Sequence, residues 1–240
     1  MDLPGAAGTW STGPAYNTVG SPNLRFDAAG TAYAIRCTSA SVGLSTLPSG
    51  GTAWSAEATV ITFGVSSVSC LDVAVNAQGQ VFALGRESTT NSTRLYSNRP
   101  GFTALQFGTV PLSSAAKLTV DGTGNVHIVA SPTVGIWRAA TNTLETDTAP
   151  ADLFWGATVV NQPDRNDLMT IAYTKSSNRN LVLARRSGPA AWTFEELPSA
   201  MALSGISTGY SPEVFGLVYD AANVPNLIYV DRGSWRHVTR

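Results

Sequence analysis

The chain has 240 residues, of which 13% are charged, and a formal net charge of −1 at pH 7. So small a charge gives no general attraction to nucleic acid or to an anionic membrane, and no apolar stretch approaches the roughly 18 residues of a membrane-spanning helix. Serine, threonine, glycine and alanine abound and lysine is rare, which favours short strands and polar turns over solvent-facing helices.

A short motif recurs along the chain. Each copy has an alternating strand, a turn that begins with Asp or Asn, and a second alternating strand, as in LTVDGTGNVHIVA at 118–130. Successive turns begin 49, 45, 43 and 56 residues apart, close to the roughly 40–50 residues of a four-stranded propeller blade. The first residues of the turns are Asp27, Asn76, Asp121, Asp164 and Asp220.

The turn chemistry supports the repeat independently. An Asp or Asn at the first turn position can accept a hydrogen bond from the backbone amide two residues later. Three residues after it, every copy has a residue type that tolerates a left-handed backbone. These residues are Gly30, Gly79, Gly124, Asp167 and Asn223.

Further strand-like runs follow each motif, and the fifth unit ends one strand short. The segment 8–18 contains Trp10 and resembles the predicted outer strands around Trp54 and Trp192. We therefore predict one all-β domain over 1–240, a five-bladed β-propeller in which 8–18 supplies the outer strand of the last blade. A β-sandwich also has many short strands but needs no recurring unit. The predicted blades span 22–62, 70–111, 116–150, 158–198 and 212–240.

The repeat also resembles a known family. Val-Asp-x-x-Gly-Asn-x-His at 120–127, a Leu-x-x-Ala-Arg strand at 181–185 and a Trp-Thr-x-Glu strand at 192–195 resemble the sialidase-like repeat propellers of secreted bacterial proteins. The resemblance implies the fold and an exported protein. That family includes lectins, hydrolases and scaffolds, so the resemblance does not select an activity. The Ser-x-Asp-x-Gly-x-Thr-Trp box of sialidases is absent.

The two cysteines add evidence about the compartment. Cys37 follows the second strand of the first unit and Cys70 precedes the first strand of the second unit, so both lie at the same end of the predicted ring. This placement predicts a disulfide between neighbouring blades, with two buried thiols as the alternative. The first residues, MDLPGAAGTW, lack a basic region followed by an apolar one, so no signal peptide is visible, and a mature exported domain with an added methionine has the same appearance. We expect a secreted, cell-surface or periplasmic protein.

The candidate binding residues come from the predicted innermost strands. Ligands of propellers usually meet the loop face, which carries the loops leading into those strands around the central channel. Polar residues two or four positions before a turn are expected to line it. They are Asn23, Arg25, Asp72, Lys117 and Gln162. A salt bridge between Asp72 and Lys117, which occupy equivalent positions in neighbouring blades, is the structural alternative.

Two aromatic residues interrupt the repeat. Trp155 and Tyr210 lie in long predicted loops that lead into innermost strands. A rigid aromatic side chain there can stack on a sugar or anchor a peptide. The alternative is that each loop folds onto its own blade.

Catalytic and metal chemistry have weaker support. A glycoside hydrolase needs paired carboxylates, and the candidates are Asp72, Glu213 and Asp152. His127 occupies the strand position of Tyr33 in the first unit and is interpreted as a strand residue, so we predict no metal or other cofactor. The sequence favours a monomeric binding or scaffold module for a carbohydrate or protein, with a glycoside hydrolase as the alternative and a purely structural domain third.

Overall fold

The computed structural model describes residues 23–27, 29–65, 67–109, 116–162, 165–175, 180–196, 213–220, 224–231 and 234–239. Within these ranges the chain forms nineteen β-strands and no helix. In that part of the chain there is accordingly no helix long and apolar enough to cross a membrane. The all-β fold predicted from the short alternating segments is confirmed.

The strands form five separate antiparallel sheets, in which each strand pairs with the next strand in the chain. Sheet 1 contains β1 (Asn23–Phe26), β2 (Ala32–Cys37), β3 (Ser41–Leu47) and β4 (Ala58–Thr62). Sheet 2 contains β5 (Val68–Val75), β6 (Val81–Glu87), β7 (Ser92–Ser97) and β8 (Leu105–Thr109). Sheet 3 contains β9 (Ala116–Val120), β10 (Val126–Ala130), β11 (Thr133–Arg138) and β12 (Thr143–Thr148). Sheet 4 contains β13 (Leu153–Gln162), β14 (Arg165–Lys175), β15 (Leu181–Gly188) and β16 (Ala191–Glu196). Sheet 5 contains β17 (Glu213–Tyr219), β18 (Pro225–Asp231) and β19 (Ser234–Thr239).

The first strands of successive sheets lie side by side. Strand β5 contacts β1 and β9, and β13 contacts β9 and β17. Separate meandering sheets whose first strands are adjacent are the arrangement of a β-propeller, not of the two face-to-face sheets of a sandwich.

The hydrophobic core consists of layers between neighbouring sheets. Val81 and Ala83 of β6 pack in the layer between sheets 1 and 2, whereas Phe82 and Leu84 pack in the layer between sheets 2 and 3. Because successive side chains of a strand point to opposite faces, a strand covered on both sides is apolar throughout most of its length. Trp137 of β11 is 0% exposed, and its ring centroid lies 5.4 Å from that of Phe82.

The turns between the first two strands have the predicted chemistry in three sheets. Asp27, Asn76 and Asp121 each accept hydrogen bonds from the amides two and four residues later, over 2.8–3.1 Å. The glycine that follows each of them has a left-handed backbone, with φ of 82° at Gly30, 73° at Gly79 and 85° at Gly124. The side chain thus satisfies two amides that a tight hairpin leaves without a strand partner.

Three sequence predictions about local structure are wrong. Asp167 lies in β14 and not in a turn, because Arg165 already pairs with Gln162 of β13. Trp155 lies in β13 and not in a loop. The residues from Leu153 onward favour strand structure, and two register shifts near Trp155 allow them to pair with β14. Trp54 precedes β4 and is not part of an outer strand. Trp10, the segment 8–18 and Asp164 lie outside the described residues.

Candidate functional site

The loop face is the end of the sheets at which the innermost strands begin. Strands β1, β5, β9, β13 and β17 begin there at Asn23, Val68, Ala116, Leu153 and Glu213. Asn23 and Arg25 lie in β1, Asp72 in β5 and Lys117 in β9. The side chains of Trp155, Gln162 and Glu213, and the whole of Tyr210, lie outside the described part of the structure.

The structure brings Arg25 and Asp72 together. The Nη2 atom of Arg25 lies 3.0 Å from Oδ1 of Asp72, and its Nε donates to the carbonyl oxygen of Val73 over 3.0 Å. Arg25 lies opposite Tyr33, on the face of β1 that packs toward sheet 2. A planar guanidinium with several donors can bind the carboxylate and the strand edge at once.

Asp72 continues this connection to sheet 3. Its side chain is only 5% exposed, and its Oδ2 accepts a hydrogen bond of 3.0 Å from the amide of Leu118 in β9. The innermost strand of each sheet has one edge without a pairing strand, which leaves amides and carbonyls that need other partners. Asp72 therefore joins three consecutive sheets by satisfying such groups. We call Arg25, Asp72 and the Leu118 amide the Arg25–Asp72 relay.

The alternative salt bridge, between Asp72 and Lys117, does not form, because Asp72 pairs with Arg25 instead. Lys117 lies opposite Val129, on the face of β9 that packs toward sheet 4, so Asp72 and Lys117 do not face each other across the same layer. Lys117 and Asn23 are exposed, and the side chain of Arg25 is 34% exposed. These three side chains leave polar groups on the loop face that can donate hydrogen bonds to a ligand.

Asp152, the second described carboxylate of the hydrolase alternative, is also engaged. Its Oδ1 accepts a 2.7 Å hydrogen bond from the hydroxyl of Tyr173, and its Oδ2 lies 3.7 Å from Nζ of Lys175. Burial and the hydrogen bond to Asp152 raise the pKa of Tyr173, so this hydroxyl stays protonated as the donor. Lys175 also pairs with Glu196, which ties the start of β13 to the ends of β14 and β16.

The structure therefore does not bring Asp72 and Asp152 together. Asp72 binds groups of sheets 1 and 3, whereas the contacts of Asp152 lie within sheet 4. Paired carboxylates of a glycoside hydrolase must flank one bond at separations below about 10 Å and remain free to exchange protons. Both carboxylates instead have structural partners.

His127 fills a strand position, as the sequence indicates. It is 0% exposed and forms a 2.9 Å hydrogen bond through Nε2 with Oδ2 of Asp121. Although burial alone raises the pKa of Asp121, hydrogen bonds from His127, Thr123 and Asn125 outweigh it and lower the pKa to about 2. An ionised carboxylate only accepts, so Nε2 of His127 carries the proton. Tyr33 contacts Asp27 in the same way over 2.9 Å, which identifies a repeated brace of the turn.

No group of three or more metal-ligating side chains occurs among the described residues. His237 is exposed and lies 3.0 Å from the side-chain oxygen of Asn226. Cys37 and Cys70 form a disulfide across sheets 1 and 2, with their Cα atoms 6.1 Å apart. This bond lies at the end of β2 and near the start of β5, and it therefore holds two neighbouring sheets together at the loop face.

Comparisons with known proteins establish the fold type. No family model and no curated protein matches the chain. It is similar to an auxiliary nutrient binding protein from Bacteroides ovatus at 16% identity and a TM-score of 0.53, over 91% of this chain and 55% of that one. It is also similar to an auxiliary nutrient binding protein from Bacteroides thetaiotaomicron at 12% identity and a TM-score of 0.52, over 92% of this chain and 55% of that one.

The extracellular domain of a hybrid two component system from Bacteroides thetaiotaomicron is similar at 13% identity and a TM-score of 0.50, over 95% of this chain and 29% of that one. The chain thus spans about half the length of the two nutrient binding proteins. At such identities the likeness concerns the fold alone, which is that of β-propeller-type proteins.

Proposed function

We propose that this chain is a binding module, a closed propeller of five blades that recognises a carbohydrate through its loop face. The observation that carries the proposal is the Arg25–Asp72 relay. In this relay the buried carboxylate of Asp72 accepts hydrogen bonds from Arg25 and from the amide of Leu118. The nearby side chains of Asn23 and Lys117 are exposed and can donate hydrogen bonds to a ligand.

Two exposed apolar faces support the closed ring. Leu24 and Phe26 of β1 are 50% and 68% exposed, and they lie on the face of sheet 1 that does not pack against sheet 2. Val218 and Ile228 are 58% and 42% exposed, on the face of sheet 5 that does not pack against sheet 4. These are the two faces that meet when the fifth blade lies beside the first. In this proposal the segment 8–18, which lies outside the described residues, supplies the fourth strand of the fifth blade.

The closure is tested by substituting Phe26. If sheets 1 and 5 pack together in solution, Phe26 is buried at the junction between these two sheets. Phe26→Ser then lowers the free energy of unfolding by about 2–3 kcal/mol, because the buried aromatic side chain is lost. The matched control is Phe194→Ser, since Phe194 of β16 is 54% exposed and lies outside the junction. Equal, small effects of the two substitutions in urea unfolding would contradict closure by these faces.

The exposed groups suit a neutral or acidic sugar better than a cationic ligand. Lys117, Arg25 and Asn23 all offer donors to hydroxyl or carboxylate oxygens. The carboxylate of Asp72 forms an ion pair with Arg25. In this proposal Gln162 extends the polar lining, and Trp155 and Tyr210 supply the aromatic surfaces on which sugar rings stack. The nutrient binding neighbours have the same fold type, which is consistent with this role.

The proposed location is outside the cytoplasm, at the cell surface or in the periplasm. Disulfides persist in oxidising compartments, and the Cys37–Cys70 bond joins two sheets. One structural neighbour is an extracellular domain.

A glycan array tests the function directly. The wild-type protein is expected to bind at least one glycan, with binding weakened about tenfold by Lys117→Ala and also weakened by Trp155→Ala or Tyr210→Ala. The matched control is Arg138→Ala, which removes a cation at the opposite end of sheet 3, where it pairs with Glu145. Turnover of a bound glycan that Asp72→Asn abolishes would replace the binding proposal with hydrolysis, and capture of proteins but no glycan would contradict the ligand class.

A further inference from the structure

Buried polar atoms without a hydrogen-bond partner concentrate in one hairpin. Seven such side-chain atoms occur among the described residues, and five of them belong to the hairpin of β6 and β7. Folded proteins satisfy the large majority of their buried polar groups, so a local cluster of exceptions needs a physical cause such as a bound water, ion or ligand. The five atoms belong to Arg86, Glu87, Thr93, Arg94 and Tyr96.

One face of the hairpin is balanced in charge. Glu87 is 4% exposed, and its Oε1 lies 3.0 Å from Nε of Arg94 as an ion pair without hydrogen-bond geometry. Its Oε2 accepts hydrogen bonds from the hydroxyls of Thr90 and Ser92 over 2.9 and 3.2 Å. Tyr96 lies on the same face, next to this pair. The anion and the cation compensate each other, and a water suffices for the remaining atoms.

The other face of the hairpin is not balanced. Arg86 and Thr93 lie directly opposite each other in β6 and β7, and they are 6% and 0% exposed. Arg86 donates from Nη2 to the side-chain oxygen of Asn91 over 2.8 Å, but its Nε and the hydroxyl of Thr93 have no partner. Among the described residues Arg86 forms no ion pair, since the nearby carboxylates of Glu87 and Asp72 are bound to Arg94 and Arg25.

The buried guanidinium of Arg86 lacks a negatively charged partner among the described residues. A guanidinium carries a positive charge, and a buried charge without a counter-charge costs several kcal/mol. The amide oxygen of Asn91 supplies a dipole but no charge. An oxyanion supplies both the charge and acceptors for the guanidinium and for the hydroxyl of Thr93.

We propose that Arg86 and Thr93 form a binding site for an oxyanion group, a carboxylate or a sulfate, of an acidic saccharide. The site lies beside the channel, because Arg86 pairs in register with Ser69 of the innermost strand β5, and Ser69 is exposed. It faces sheet 3, as Asp72 does. The inference rests on the proposed carbohydrate function and adds that the sugar is acidic.

The test uses thermal unfolding of the full chain in the presence of sodium glucuronate, glucose or sodium sulfate, with sodium chloride at equal ionic strength as reference. Glucuronate and sulfate are expected to raise the Tm by at least about 2 °C over chloride, whereas glucose does not. Arg86→Met is expected to abolish this anion-dependent shift. Arg138→Met, which removes a cation at the other end of sheet 3, is expected to preserve it.

Thr93→Val keeps the proposal testable if Arg86→Met does not fold. If the hydroxyl donates to the anion, Thr93→Val raises the Kd for glucuronate about tenfold in calorimetric titration. No anion-dependent shift in the wild-type protein, or an equal shift in Arg86→Met, would overturn the inference. Neutral glycans bound on the array without any response to glucuronate or sulfate would refute the acidic specificity and leave the carbohydrate function standing.

Discussion

The substitution Asp72→Asn distinguishes a structural role of Asp72 from a catalytic one. Asn has almost the same shape as Asp but only one acceptor oxygen, and its NH2 group is a donor. In wild-type protein both carboxylate oxygens receive donors over 3.0 Å, one from Arg25 and one from the amide of Leu118. In either orientation of the amide, one of these donors faces the NH2 group and loses its acceptor.

The magnitude follows from those two contacts. The amide of Leu118 is buried, and leaving such a donor unsatisfied costs about 1–3 kcal/mol. The side chain of Arg25 is 34% exposed, so solvent screening limits its ion pair to about 1 kcal/mol or less. Asp72→Asn is therefore expected to lower the free energy of unfolding by about 1–4 kcal/mol.

Urea unfolding followed by tryptophan fluorescence measures this loss. Lys117→Met is the control, because an exposed side chain without a buried partner changes stability by less than about 0.5 kcal/mol. A double-mutant cycle with Arg25→Met isolates the ion pair. If Asp72→Asn left stability within about 0.5 kcal/mol of wild type, the structural interpretation of the relay would be wrong.

Three further predictions concern the turns, the disulfide and the core. Because the folded-state pKa of Asp121 is lowered to about 2, it contributes about 2 kcal/mol of stability at neutral pH. That contribution is present above the unfolded pKa of about 4 and is lost as pH falls toward 2, so Asp121→Asn should flatten the acid limb of stability against pH. Reduction of Cys37–Cys70, which closes a separation of 33 residues, should cost about 3–4 kcal/mol, whereas an unchanged Tm in reductant would argue against the disulfide. A Cβ on Gly135 would lie 2.5 Å from the ring of Phe107, so Gly135→Ala should cost about 1–3 kcal/mol, with no comparable loss in the unobstructed Gly122→Ala.

The repeating elements could be predicted because their signals are local. The hydrogen bonds of Asp27 and the left-handed φ of Gly30 depend on residues within one turn, and the same chemistry occurs at Gly79 and Gly124. The strand position of His127 follows from its alignment with Tyr33. Its hydrogen bond to Asp121 was not predicted, although the same spacing relates Tyr33 to Asp27.

The contacts between sheets could not be predicted in the same way. Spacing places Asp72 and Lys117 at equivalent positions, but it does not say toward which neighbouring sheet each side chain points. Strand parity puts Arg25 and not Lys117 beside Asp72. The importance of Arg86 depends on the absence of a carboxylate partner among the described residues, which no sequence pattern encodes. The early start of β13 at Leu153 required register irregularities that the alternating pattern does not reveal.

In our proposal the loop face binds a sugar, and the buried carboxylate of Asp72 holds the sheets together. Nuclear magnetic resonance of a bound glycan, recorded over time with wild-type protein and with Asp72→Asn under conditions where both are folded, tests both parts at once. We expect an unaltered glycan in both samples, with affinities that agree within about threefold per folded molecule. Cleavage of the glycan by the wild-type protein alone would show that Asp72 is catalytic instead.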